Sequence, residues 1–187
     1  TLGCALDLAP IRLDWGVDLL MGAVPIWAVF FIVGRPLALA GFAIVSLGTI
    51  MLWHHPWAYG IFLAEAVTVA LLSRRLPLMF AEIIYWLIFG IPAVFLSYTF
   101  ILNMEPSDVD LIMTKQPLNA FLCAAVGLVI YHVIVLLLPT KTPNLRGSLS
   151  LYDLCISYAL TVALIPMFIT MELNGRYRQL EKEDSIS

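Results

Sequence analysis

The sequence predicts an all-α fold, a polytopic transmembrane helical bundle of about six spans. Three observations predict it. The chain is 61% hydrophobic and only 12% charged, where a soluble domain carries about a quarter charged residues. Its mean hydropathy is +0.95. The apolar residues fall in runs long enough for the roughly 20-residue helix that crosses a bilayer, and the runs are parted by short clusters of Pro, Gly, Arg and His. Inside lipid every backbone polar group must be satisfied within the segment, so these runs are expected as helices.

Residues 1–16 mix Asp7, Arg12 and Asp14 with Leu and Trp15, the mixture of an interfacial entry segment. The first span, Val17–Gly34, stops at Gly34-Arg35-Pro36. The second, Leu37–Trp53, stops at His54-His55-Pro56. The third, Trp57–Ser73, stops at Arg74, Arg75 and Pro77. The fourth and longest is Leu78–Leu102, followed by a loop, Asn103–Gln116, that carries Glu105, Asp108 and Asp110 against Lys115. The fifth is Pro117–Leu138, and the sixth is Leu149–Met171. Residues 17–171 thus form the bundle, and the polar tail 172–187, with Arg178, Glu181 and Lys182, reads as a solvated helical connector to a further domain.

Positive charge in short loops favours the cytoplasm. Loops one, three and five carry Arg35, Arg74, Arg75, Lys141 and Arg146, whereas loops two and four carry only Lys115. Six spans then put both termini outside, although Arg176, Arg178 and Lys182 in the tail pull the other way. A re-entrant segment among the six would place the termini on opposite sides. Pro25, Pro92 and Pro166 fall inside spans, where each removes a helical hydrogen bond. Gly41 and Gly48 lie seven apart on one face of the second span, which permits close helix packing. No charged leader with an apolar core and cleavage site opens the chain, so no signal peptide is expected.

No phosphate loop, HExxH or GxSxG motif is present. Cys4, Cys123 and Cys155 are scattered without metal-ligand spacing, and the two inside apolar runs read as small hydrophobes. The chain alone is therefore not expected to be an enzyme; no catalytic residue or metal site is assigned, and the cofactor is unknown. The net charge of −3 offers nothing to a nucleic acid.

Ionisable groups at lipid depth are the exception. A charge at the bilayer centre costs at least about 2.5–3.5 kcal/mol, so such a group normally faces the bundle interior and has a partner. Glu65 and His132 lie deep in their spans; Glu82, with Trp86 one turn later, and Asp153 lie near span starts and can instead reach the interface. His54 and His55 sit among Trp53, Trp57 and Tyr59. That grouping reads first as an aromatic belt at headgroup level, and second as a cap over a cavity shared with Glu65. His54, His55, Glu65, Glu82, Trp86, His132 and Asp153 are the candidate ligand-binding residues.

The stretch Leu52-Trp-His-His-Pro-Trp-Ala, then Glu65-Ala66, Arg74-Arg75 and Tyr85-Trp-Leu-Ile-Phe-Gly-Ile-Pro92, resembles the LytS-like and MASE-type membrane input domains of bacterial signalling proteins. The likeness runs from about Trp15 to Arg178. It implies a multi-pass domain of the bacterial cytoplasmic membrane, standing ahead of a GGDEF, EAL or histidine-kinase output module that this chain lacks. The expected partners are the lipid bilayer, a second copy of the chain in a homodimer, and an unknown small-molecule or lipid ligand. A passive membrane anchor and a small-molecule carrier remain as alternatives.

Overall fold

The computed structural model describes residues 2–8, 11–13, 17–137 and scattered positions between 155 and 177. Among them the fold is helical apart from one small hairpin. Helix α1 (Leu2–Leu8) leads into two three-residue strands, β1 (Ile11–Leu13) and β2 (Val17–Leu19), paired antiparallel with Arg12 opposite Asp18. Then follow α2 (Ala23–Ile32), α3 (Arg35–Trp53), α4 (Trp57–Leu72), α5 (Leu78–Tyr85), α6 (Ile91–Leu96) and α7 (Pro106–Leu137). Two π-helical turns, Trp86–Gly90 and Ser97–Ile101, join α5 and α6 into one rod from Leu78 to Ile101.

Among the described residues, three rods are long and apolar enough to cross a membrane: Arg35–Trp53 (19 residues), Leu78–Ile101 (24 residues) and Pro106–Leu137 (32 residues). Their exposed residues include the large apolar side chains Leu87, Phe89, Phe100 and Leu136. Helix α4 has 16 residues, about 24 Å at 1.5 Å per residue. The Arg35 guanidinium reaches the Ser73 carbonyl at 3.5 Å, so α4 ends beside the point where α3 begins. Arg35, Arg74 and Arg75 therefore share one end of the bundle.

Each boundary has a local cause. His54 closes α3 in the left-handed region at φ 56°, its amide donating to the Ile50 carbonyl at 2.9 Å. The following Pro56 disfavours helical geometry at His55. Pro77 stands immediately ahead of α5, and Pro92 opens α6 directly after a π turn. The π turn absorbs the hydrogen bond that Pro92 cannot make.

The structure departs from the expected spans in two places. Val17–Gly34 is not a single crossing: its first residues form β2 and its helix has only 10 residues, about half a bilayer at 1.5 Å per residue. Pro25 consequently sits in a first turn, where a missing amide costs nothing. Second, α7 rather than the fourth span is the longest helix, because it starts at Pro106. The expected loop at residues 106–116 is helical, with Pro106 in its first position and Asp108 in its first turn favouring a helix N-terminus. Val109 and Gln116 on this extension are buried. The expected sixth span and Asp153 lie outside the described residues, apart from isolated helical positions such as Tyr158 and Val162.

The core gathers on α2. Trp27, 1% exposed, meets Phe30 and Phe42 edge-on at centroid distances of 5.4 and 4.6 Å. Gly127 allows α7 to approach so closely that a Cβ there would stand 2.6 Å from the Trp27 Cβ and 2.8 Å from the Val24 carbonyl oxygen. On α3, Gly41 faces Ile26 of α2 and Gly48 faces Asp7 of α1. The small-residue face of α3 therefore receives the N-terminal segment.

Candidate functional site

The site forms where α4, α5, α7 and the N-terminal segment converge. Helix geometry puts Ile61 and Glu65 on one face of α4 and Glu82, Tyr85 and Trp86 on the facing side of α5 and its π turn. The Tyr85 hydroxyl donates to the Ile61 carbonyl at 2.5 Å and ties the two helices together. Glu65 is 6% exposed, Glu82 and Trp86 not at all. The carboxyl groups of Glu65 and Glu82 lie close enough to interact, and the Trp86 indole also neighbours Glu65. Neither Glu82 oxygen has a well-formed hydrogen bond, nor has the Trp86 Nε1. Two acidic groups thus adjoin in the bundle interior, each the other's polar neighbour.

Beside Glu65 opens a small cavity of about 40 Å³. One water needs about 10–15 Å³ of such space, so there is room for about three. Its polar wall comprises Asp7, Ser46, Thr49, Glu65, Asn119 and the Cys123 thiol. Asp7 is held there by accepting the Gly22 amide at 2.7 Å. Asn119 pairs with the Leu20 backbone in the manner of a strand: its Oδ1 accepts the Leu20 amide and its Nδ2 donates to the Leu20 carbonyl, both at 3.1 Å. The Cys123 thiol also reaches that carbonyl, at 3.1 Å. These contacts draw residue 20 out of helical geometry and account for the late start of α2.

The candidate residues are distributed unevenly. Glu65, Glu82 and Trp86 come together as described. His55 stands at one end of the bundle, its ring stacked on Trp53 at 6.4 Å and edge-on to Tyr98 at 5.4 Å, with Nδ1 buried and unpaired. His54 is exposed and serves the turn. His132 lies on α7, its Nδ1 donating to the Leu128 carbonyl at 2.8 Å, and does not line the cavity. The sequence reading passed over Asp7, Ser46, Thr49 and Asn119. The available signal was that Asn119 and Cys123 lie one helical turn apart in an apolar run.

Burial holds the His55 imidazole below its ordinary value of 6.5, so the folded bundle favours the neutral ring. The stability this lends is complete above the unfolded value and is lost as pH falls through the lower folded one. Melting is accordingly expected at a lower temperature at pH 5 than at pH 7.5, with a smaller gap in His55→Gln. An identical gap in the variant would remove His55 from the effect.

Compared with family models, curated protein sequences and solved structures, the chain matches none.

Proposed function

We propose that this chain is the membrane-embedded input block of a bacterial signalling protein. In this reading it is a bundle of about six crossings in the cytoplasmic membrane, working as a homodimer and passing a ligand or bilayer signal to a separate cyclic di-GMP or kinase module. It performs no catalysis itself. The observation that carries the reading is the Glu65–Glu82 pair. Adjoining acids at membrane depth are costly, and groups retained in such settings mark sites of function. The loose resemblance of residues 52–92 to LytS-like and MASE-type input domains supports the same role.

The mechanism needs two packings of α4 against the α5–α6 rod. A ligand at the Glu65 face shifts their balance only by its difference in affinity for the two, and moving a population from 1:99 to 99:1 takes about 5.5 kcal/mol of that difference. The π turn at Trp86–Gly90 is a natural place for such a change, because it adjoins the site and holds a hydrogen-bond register that differs from its α-helical flanks. Glu65→Gln keeps the shape and removes the charge. In the full-length protein it is expected to change the cyclic di-GMP or phosphorylation output at least about fivefold, the low end of ordinary allosteric coupling. Output equal to that of the parent protein, with the variant correctly inserted, would defeat the proposal.

A carrier is the second reading, favoured by the acid-lined cavity. Uptake into liposomes above the level of empty vesicles would support it over the sensor.

A further inference from the structure

The end of the bundle where α3 begins and α4 stops carries charge that the input reading leaves unused. Arg35 opens α3, and Arg74 and Arg75 follow closely behind α4. The contact from the Arg35 guanidinium to the Ser73 carbonyl, at 3.5 Å, sets all three at one level of the bundle. Arg74 and Arg75 are exposed; Arg35 is half-buried, its guanidinium 5.9 Å from the centre of the Phe30 ring. A guanidinium has five N–H donors, so Arg35 keeps most of its own after the bond to Ser73. No Asp or Glu occurs at residues 19–64 or 66–81. The acids of α4 and α5, Glu65 and Glu82, are buried in the interior. Three guanidinium groups thus meet with no carboxylate at hand, and each raises the potential at the others.

The surroundings select the anion. Val33, Leu37, Leu71 and Leu76 flank the arginines in the chain, and all four are exposed. A free anion gains nothing from aliphatic neighbours, whereas a lipid gains both from them and from the charge. Gly34 stands between Val33 and Arg35 at φ 113°, and a Cβ added to it would meet nothing within 4 Å, so the ground in front of α3 is open. Both α3 and the rod that starts at Leu78 have the length of a membrane crossing, which puts their arginine-bearing ends at headgroup level. Arg is also the side chain that grips a phosphate through two N–H groups at once. Guanidinium groups at the membrane surface with aliphatic side chains beside them match an anionic phospholipid in both its parts.

We propose that this end binds the phosphate of an anionic phospholipid between Arg35 of α3 and the Arg74-Arg75 pair behind α4, with the acyl chains against Leu37 and Leu71. The headgroup ties the start of one helix to the end of the next, at the side away from their connection through His54–Pro56. Helix α4 presents Glu65 to the α5–α6 rod, so the bound lipid favours the packing in which the ends of α3 and α4 lie together. This deepens the input reading by naming a bilayer signal, the content of anionic lipid. It rests on that reading for the signalling consequence alone, and its binding test needs no signalling output.

The test titrates phosphatidylglycerol and, separately, phosphatidylcholine into the full chain in a neutral detergent and follows binding by native mass spectrometry. Each basic residue near an anionic lipid surface adds about fivefold in affinity, so phosphatidylglycerol should bind at least about tenfold tighter than phosphatidylcholine. Arg74→Gln and Arg75→Gln lie at exposed positions where the fold is not at stake. Each should weaken phosphatidylglycerol about fivefold and leave phosphatidylcholine unchanged. Arg74→Lys keeps the charge, loses the forked grip and should fall between parent and Arg74→Gln. Equal affinity for the two lipids overturns the proposal, as does a preference that survives in the variant with all three arginines changed to Gln. Displacement of the lipid by equimolar inorganic phosphate would assign the site to a free anion and overturn it too. Selective lipid binding with an output indifferent to Glu65→Gln would sink the sensor reading and leave the lipid site standing. An output changed by Glu65→Gln, in a chain that does not distinguish the two lipids, would do the reverse.

Discussion

Replacing Asn119 by alanine is expected to destabilise the bundle by about 2–3 kcal/mol. The side chain satisfies both backbone groups of Leu20 in a buried setting. A buried donor or acceptor left without its partner costs about 1–3 kcal/mol. The Leu20 carbonyl keeps the Cys123 thiol as a weaker partner, so most of the loss falls on the amide. For a chain of this size the fall in melting temperature is about 5–10 °C. Asn119→Asp should share the defect, because a carboxylate cannot donate to the carbonyl. Hydrogen exchange at the Leu20 amide reads the same event locally and should accelerate in both variants. Unchanged melting with unchanged exchange would show that Asn119 does not hold the N-terminal segment.

The second substitution runs in the opposite direction. Glu82→Met should raise stability by about 1–4 kcal/mol, the range found when buried charged groups give way to apolar ones of similar volume. Glu82 is wholly buried, with the Glu65 carboxyl as its polar neighbour and no well-formed hydrogen bond. A thioether side chain there would fill the same space without a polar group to desolvate. The variant should melt several degrees above the parent chain and lose response to the signal, a trade expected where strain at a site serves function. A lower melting temperature in Glu82→Met would mean that the carboxyl has a stabilising partner and that its burial is structural.

Both substitutions concern residues that sequence reading treated unequally. Glu65 was legible because an acid deep in an apolar run can scarcely face lipid, whereas Glu82 and Trp86, near a span start, could as well have reached the interface. Asn119 carried the same signal in weaker form and escaped, since a lone amide is cheaper to bury than a carboxylate. The rods Arg35–Trp53 and Leu78–Ile101 were legible nearly to the residue, because Pro, Arg and Gly interrupt hydropathy at their ends. The start of α2 was not. Hydropathy registers an apolar run from Val17 onward, but the event that ends helical geometry at Leu20 is a contact with a side chain 99 residues later in the chain. The helical character of residues 106–116 was hidden for another reason. Glu105, Asp108 and Asp110 lower the local hydropathy, while Val109 packs inward from the same turns. Asp7 was assigned to an entry segment because its depth depends on Gly22, whose missing side chain makes room for the carboxyl.

The bond between Leu20 and Asn119 also sets a schedule for biogenesis. A ribosome adding about 5–20 residues per second needs roughly 5–20 s to travel from one partner to the other. Throughout that interval the hairpin and the half-length helix behind it have emerged without the amide that will anchor them. The segment before α2, made ahead of its partner, is thus among the last parts of this bundle to settle, and whatever shelters it meanwhile, be it insertion machinery or lipid headgroups, takes part in the assembly.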